Sequence, residues 1–185
     1  VLEGAHRGRE HFVGVATVGC KLFNIVAPDV AYFGQKDAQQ TLVIRRLVRD
    51  LNLPVEIAVC PTVREPNGLA LSSRNVLLSA ADRTRAAALS HALATTQVLV
   101  AAGETDVQTL LAAARAELSD PQLQVDYFQI VNPETLAPIT SLSEPALALI
   151  AAWVGATRLI DNQILSVPTS SRLPLAAGSA KGEAS

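Results

Sequence analysis

Apolar residues near the start of the chain recur at steps of three and four. Phe12, Val15, Ala16, Leu22, Phe23 and Val26 fall on one face between His11 and Val26, which predicts an amphipathic helix. Pro28 prevents that helix from continuing. Val30 to Phe33 is an unbroken apolar run closed by Gly34 and predicts a short buried strand. Helical spacing returns from Thr41 to Leu51 through Leu42, Ile44, Leu47, Val48 and Leu51, and Asn52 and Pro54 stop it. Val55 to Cys60 predicts a second strand, ended by Pro61. Helix, strand, helix, strand is the order of a parallel sheet with helices on its faces. Two strands are few for such a sheet, so further partners are expected upstream of Val1.

The pattern then changes. Residues 61–78 form a long polar connection around the turn signal Pro66-Asn67-Gly68, and long connections in compact domains are usually functional or disordered. Ser79 predicts the cap of a helix running toward Ala102, with Asp82 placed for a capping box. A second helix is expected over Asp106 to Leu118. Strands are expected over Gln124 to Val131, Leu147 to Val154 and, after a turn at Gly155, Thr157 to Asp161. This is a small α+β unit. We divide the chain at residues 1–75, 76–165 and 166–185, the last a Ser, Pro, Gly and Ala-rich stretch expected to be a disordered tail.

Composition narrows the classes. Of the 185 residues, 49% are hydrophobic and 17% charged, enough apolar material for a real core. A net charge of -2 gives no electrostatic case for nucleic acid or a membrane surface. No charge-free apolar run is long enough to span a bilayer. Cys20 and Cys60 sit in apolar segments and read as buried, reduced thiols of a cytoplasmic protein. His6, His11 and His91 lack metal-ligand spacing, so no protein metal site is expected. The sequence contains no Met and begins at Val1, with neither a secretory nor a transit pattern, so we expect part of a longer protein.

Two segments carry candidate chemistry. Gly34-Gln35-Lys36-Asp37-Ala38-Gln39-Gln40 joins a strand to a helix, the place where open α/β sheets bind ligands. Asp37 and Gln40 have the spacing of a capping box. Lys36 does not serve a helix N-terminus, because it opposes the dipole. It is either an exposed lysine or part of a phosphate site built with free backbone N–H groups. The second segment, Val63 to Asn75, includes Gly68-Leu69-Ala70-Leu71-Ser72-Ser73-Arg74-Asn75. Serine hydroxyls and a guanidinium fork hold phosphate oxygens well; the alternative is a surface loop with Ser72 or Ser73 bonded locally and Arg74 in a salt bridge. Leu69 and Leu71 are both expected to bury against something, such as a base or the neighbouring strand. Neither segment is a Walker loop or a dinucleotide fingerprint.

Taken together the two segments resemble the pantothenate synthetase family. The chain carries His11-Phe12-Val13-Gly14-Val15, then Tyr32-Phe33-Gly34-Gln35-Lys36-Asp37-Ala38-Gln39-Gln40, then Gly68 to Asn75 at the family's spacing. Ala151-Ala152-Trp153-Val154-Gly155 and Arg158-Leu159-Ile160-Asp161-Asn162 resemble its last strands, and the likeness runs from Leu2 to about Leu165. It implies an α/β fold: the C-terminal portion of a Rossmann-like nucleotide-binding domain followed by a small α+β domain. It implies an ATP- and Mg²⁺-dependent ligase joining pantoate to β-alanine through an acyl-adenylate, a homodimer in full-length form. Lys36, Ser72, Ser73 and Arg74 would act on the phosphates, Gly34 and Asp37 would lie near the ribose with Gln35 beside them, and Val63 and Leu71 would flank adenine. Gln40 and Val15 would receive pantoate. The family's upstream HxGH-type motif and pantoate-binding glutamine do not occur here. Gln35 stands where glutamate is more usual, and Arg7 and Arg9 compete for the place of one family arginine.

Overall fold

The computed structural model describes residues 2–168; the tail predicted over 166–185 therefore lies outside the described residues from 169 onward. Two helices of unequal length open the chain, α1 (Glu3–Arg7) and α2 (Arg9–Val26). Then come β1 (Val30–Gly34), a single 3₁₀ turn at Gln35–Asp37, α3 (Ala38–Asp50) and β2 (Glu56–Cys60). β1 and β2 pair in parallel, with Gly34 opposite Cys60 at their carboxyl ends. The helix–strand alternation thus produces the parallel pairing expected of it.

β1 is not buried as its apolar run suggested. Tyr32 is 72% exposed, and no residue of α2 is fully buried. Among the described residues this sheet has two strands, so helices cover it only in part. α2 packs on α3 where Gly19 admits Ile44; a Cβ at Gly19 would come within 2.8 Å of the Ile44 side chain.

The C-terminal half is built differently. One helix was expected from Ser79 to Ala102. Two form, α4 (Ala80–Ala86) and α5 (Ala88–Ala101), parted at Ala87, whose N–H reaches back only three residues, to the Thr84 carbonyl. Ser79 caps α4 by accepting the Asp82 N–H, but the Asp82 carboxylate takes the Ser79 hydroxyl instead of a backbone donor. α6 (Val107–Glu117) forms within the expected Asp106–Leu118 stretch, and Asp106 caps it by accepting the Thr109 N–H.

β3 (Leu123–Val131), β4 (Ala146–Val154) and β5 (Thr157–Leu165) form an antiparallel sheet in that order. β5 runs four residues beyond the predicted end at Asp161, because its pairing with β4 continues to Ala146–Leu165. β4 is covered on both faces. Ala146, Ala148, Ile150, Ala152 and Val154 join the core made with α5 and α6, while Leu147 and Leu149 pack with Leu2, Val131 and the first residue of α3. Small alanines on the first face let the helices approach closely. The second face is where α1 and α3 dock, so this sheet is the platform of the site.

Candidate active site

In a parallel pair both strands release their chains at the same edge. β1 delivers Gln35 to Asp37 there, and β2 delivers residues 61–78 beside it. The long connection is not irregular throughout. Arg64 and Ala70 form an antiparallel bridge, the Leu71 N–H donates to the Val63 carbonyl at 2.8 Å, and the Glu65 N–H donates to the Leu69 carbonyl at 2.8 Å. Gly68 closes this tight hairpin at φ +89°, and a Cβ there would also meet Ser90 Oγ at 2.7 Å. A 3₁₀ turn over Ser73–Leu77 follows.

Val63 and Leu71 are therefore neighbours, 66% and 56% exposed. Leu69 is buried against the protein, as expected, whereas Leu71 is left exposed on the loop. Leu69 joins the core that β4 makes with α5 and α6. Ser72 Oγ accepts the Arg74 N–H at 3.2 Å, the local bond foreseen for this loop. Ser73 and Arg74 are exposed. Asn75 is buried, with its amide donating to Glu65 Oε1 and the Ala70 carbonyl.

The first segment departs from its predicted capping box. Asp37 occupies the cap position of α3 but its carboxylate accepts no cap bond. The preceding 3₁₀ turn leaves Asp37 at φ −94°, ψ 56°, away from the extended backbone that a side-chain cap needs. Its carboxylate is left free at the mouth of a cleft. Thr41 Oγ1 donates to the Gly34 carbonyl at 3.3 Å. Gly34 itself has ordinary extended geometry, and a Cβ there would meet nothing within 4 Å. Open space, not a protein neighbour, lies above it.

Lys36, Asp37 and Gln40 line one cleft together with Arg7, His11, Asp161 and Asn162. Gln40 and His11 are shared with an adjoining apolar groove, where Val15, Phe33 and Ile44 lie. The predicted substrate pair, Gln40 and Val15, thus meets in one place. Ser72, Ser73, Arg74, Val63 and Leu71 line neither cavity; they sit on the loop beside them. Of the two arginines left open by the sequence, Arg7 lines the cleft with Lys36, and Arg9 lines a separate surface depression with Val13 and Leu42.

Lys36 and Arg74 form no ion pair among the described residues. Burial pulls the Lys36 ammonium below its ordinary value; Asp37 and Asp161 act against that, while the positive charges of Arg74 and Arg7 add to it. Desolvating a lysine without a bonded carboxylate opposes folding. An anion in the cleft would relieve it.

Side chains that the hydrophobic pattern did not mark hold the cleft in shape. Arg64 forks onto Asp161, Nη1 to Oδ2 at 2.6 Å and Nη2 to Oδ1 at 3.1 Å. Asn162 bonds the backbone of Gln35 and Lys36, and its Oδ1 accepts from Gln35 Nε2 at 3.0 Å. The Gln35 side chain is therefore committed to β5. Below them, Arg158 chelates Glu3 at 3.0 and 2.8 Å and also bonds Asp126. Glu3 further accepts from Tyr127 Oη at 2.9 Å and Arg7 Nε at 3.3 Å, and Arg7 Nη1 lies 3.2 Å from His11 Nε2. Burial alone would raise the Glu3 carboxyl, but bonds from Arg158, Tyr127 and Arg7 with the Arg158 charge hold it below the usual range. Burial and the Glu3 carboxylate push the Tyr127 phenol far up. Cys20 is partly buried and Cys60 exposed, against the expectation for both, because Cys60 ends β2 at the open strand edge. Among the described residues no cluster of three or more His, Cys, Asp or Glu is placed to hold a metal ion, and no helix is long and apolar enough to cross a membrane.

Comparison with known proteins identifies the family and the fold. The family model for pantoate-beta-alanine ligase matches residues 1–164. A pantothenate synthetase of Acidobacterium capsulatum is 54% identical over 165 residues, which is 89% of this chain and 55% of its own length. The crystal structure of pantothenate synthetase from Thermus thermophilus superposes with a TM-score of 0.85 at 46% identity, over 90% of this chain and 60% of that one. A pantoate-beta-alanine ligase from Francisella tularensis, solved in complex with beta-gamma ATP and beta-alanine, gives a TM-score of 0.64 at 32% identity, over 89% of this chain and 54% of that one. The chain thus spans a little over half the length of the relatives it matches.

Proposed function

The chain belongs to the pantoate-beta-alanine ligase family, and from that premise we propose that it carries the C-terminal part of an enzyme condensing pantoate with β-alanine at the expense of ATP. The observation that carries the reading is the convergence of two cations with no carboxylate bonded to either. Lys36 and Arg74 emerge from the same edge of a parallel strand pair, and the charge of one acts on the other. Like charges brought together in this way call for a polyanion between them. The Francisella relative was solved in complex with beta-gamma ATP and beta-alanine, and ATP is the polyanion we assign.

In the proposed first step a pantoate carboxylate oxygen attacks the α-phosphorus in line, and pyrophosphate leaves with the electron pair of the broken P–O bond. The β-alanine amine then attacks the acyl carbon of pantoyl-adenylate, loses a proton, and AMP leaves. Neither step needs a protein nucleophile. Both need negative charge offset and water kept out. Lys36 and Arg74 supply the charge, and Ser72 and Ser73 the hydroxyl donors. Gly34 leaves room above the strand end for the nucleotide, and Asp37 faces its ribose. Val63 and Leu71, exposed and side by side, offer an apolar clamp for adenine. Pantoate lies across Gln40 and Val15, where the polar cleft meets the apolar groove. Mg²⁺ fits as a passenger of the triphosphate, since it keeps several waters and binds phosphates more readily than protein cages. We extend the proposal to a cytoplasmic homodimer for the full-length protein.

The test is pyrophosphate release from ATP and Mg²⁺, with and without pantoate, by the full-length gene product and its Lys36→Ala variant. The expected result is pantoate-dependent release in the parent and at least about a hundredfold loss in the variant, the scale of removing one preorganised donor to developing charge. Release that ignores pantoate would assign a different adenylyl acceptor. Unchanged turnover in Lys36→Ala would remove the lysine from the phosphate site.

A further inference from the structure

β5 reaches both candidate phosphate segments through two adjacent residues. Neighbouring residues of a strand point to opposite faces. Asp161 stands opposite Ile150, on the face covered by α5 and α6, and Asn162 stands opposite Leu149, on the face covered by α1 and α3. From the first face Asp161 takes the Arg64 fork at 2.6 and 3.1 Å, and the same Nη1 bonds the Gly68 carbonyl at 3.0 Å, so the hairpin that precedes Ser72 to Arg74 is tied to β5. From the second face Asn162 Nδ2 donates to the carbonyls of Gln35 at 3.0 Å and Lys36 at 2.8 Å. Its Oδ1 accepts from the Gln35 side chain, so both donors and one lone pair of the amide are engaged. Both residues are 3% exposed. The Asp161 carboxylate also accepts the Asn162 backbone N–H at 2.8 Å, which orients the Asp161 side chain against its own strand.

We infer that Asp161 and Asn162 are a pair of positioning residues, one tether to each phosphate-binding segment, and that together they set the separation of Lys36 from the Ser72–Arg74 loop. The inference rests on reading that edge as the ATP site. β1 and β2 alone do not set this separation, because their pairing ends at Gly34 and Cys60 and both segments lie beyond it. The buried sheet can, since β5 is paired with β4 along its whole length. The direction of the tether matters as well as its strength. In a trans peptide C=O and N–H are antiparallel, so holding the Gln35 carbonyl toward β5 turns the Lys36 N–H away from it, toward the open side of the turn. Asn is suited to this task and Asp is not: two carbonyls require two N–H donors from one short side chain.

Two shape-preserving variants test the assignment, Asn162→Asp and Asp161→Asn, with amide hydrogen exchange on the unliganded chain and ATP titration on the same samples. Asn162→Asp keeps the volume and removes both donors. It should speed exchange of the peptide over residues 34–38 by at least about tenfold, while the β3–β4 peptides keep their protection. Asp161→Asn should speed exchange over residues 63–71 in the same way. ATP affinity should fall by about tenfold or more in each variant, and Asn162→Gln, which restores an amide, should recover part of the loss. Unchanged exchange in 34–38 in Asn162→Asp would overturn the tether. Faster exchange with ATP affinity equal to the parent would overturn the positioning role, leaving a purely structural bond. A parent chain that takes up no ATP, with Lys36→Ala indistinguishable from it, would count against the ligand assignment, and exchange would then decide the tether by itself.

Discussion

The two sheets of this molecule divide the work unequally. The antiparallel sheet is a core element: every residue of β4 except Trp153 is buried, and its two faces meet two separate sets of side chains. The parallel pair carries the candidate chemistry, yet β1 has no fully buried residue and α2 shows Val18, Leu22 and Ile25 at 56%, 53% and 76% exposure. The candidate ligands stand on the less packed region, and the ties that hold them come from the better packed one. Packing and candidate chemistry thus concentrate in different sheets, joined by the ties from β5.

The largest expected effect is at the join between the regions. Arg158→Ala leaves the Glu3 carboxylate, 6% exposed, without its main partner. We expect a loss of about 3–5 kcal/mol in chemical denaturation, the range for breaking one side of a buried pair. A loss under about 1 kcal/mol would mean that Tyr127 and Arg7 suffice to hold α1 on the sheet.

Next comes the contrast of matched truncations. Ile150→Ala in β4 should cost about 2–5 kcal/mol, whereas Leu22→Ala on α2 should cost less than about 1 kcal/mol, because Ile150 is fully buried and Leu22 is half exposed. Equal losses would show that the α2 face is covered in solution.

The smallest effect is one of pH. The folded state holds the Glu3 carboxyl below its ordinary value, so its ionised form is favoured by folding. That stabilisation is full above the unfolded value of about 4.3 and fades as pH falls through it toward the lower folded value. Unfolding free energy of the parent should therefore decline below about pH 4, and Glu3→Gln should be less stable at pH 7 but flatter in that acid window. A variant curve parallel to the parent throughout would assign the acid sensitivity to other carboxylates. Lys36 behaves in the opposite sense. Its ammonium is desolvated, so Lys36→Ala should leave stability equal or slightly higher while removing ATP, which separates it from Arg158 in a single denaturation experiment.

Much of this organisation was legible along the chain. Periods of 3.6 and 2, with Pro and Gly as stops, placed α2, α3, α6 and all five strands, because they depend on neighbours a few residues apart. The parallel pairing of β1 and β2 followed from their alternation with helices. Lys36 stood out because it opposes a helix dipole, a local conflict that a purely structural residue would not need. Local pattern misled where burial depends on what arrives from elsewhere. Val30 to Phe33 has the run of a buried strand, but burial belongs to the covering layers and not to the run. Asp37 and Gln40 had the spacing of a capping box, but the 3₁₀ turn before them altered the backbone that the box requires.

What only the tertiary structure decided is which residues hold the site together. Arg64 meets Asp161 across 97 residues, Gln35 meets Asn162 across 127 and Glu3 meets Arg158 across 155. Such partners leave no periodic trace, since each side chain alone is an ordinary surface residue type and becomes buried and specific only when the sheet brings its counterpart within 3 Å or so. The elements and the chemistry-bearing segments were therefore written in short-range order. The fixed geometry between those segments arises from long-range hydrogen bonds and ion pairs that exist only in the folded chain.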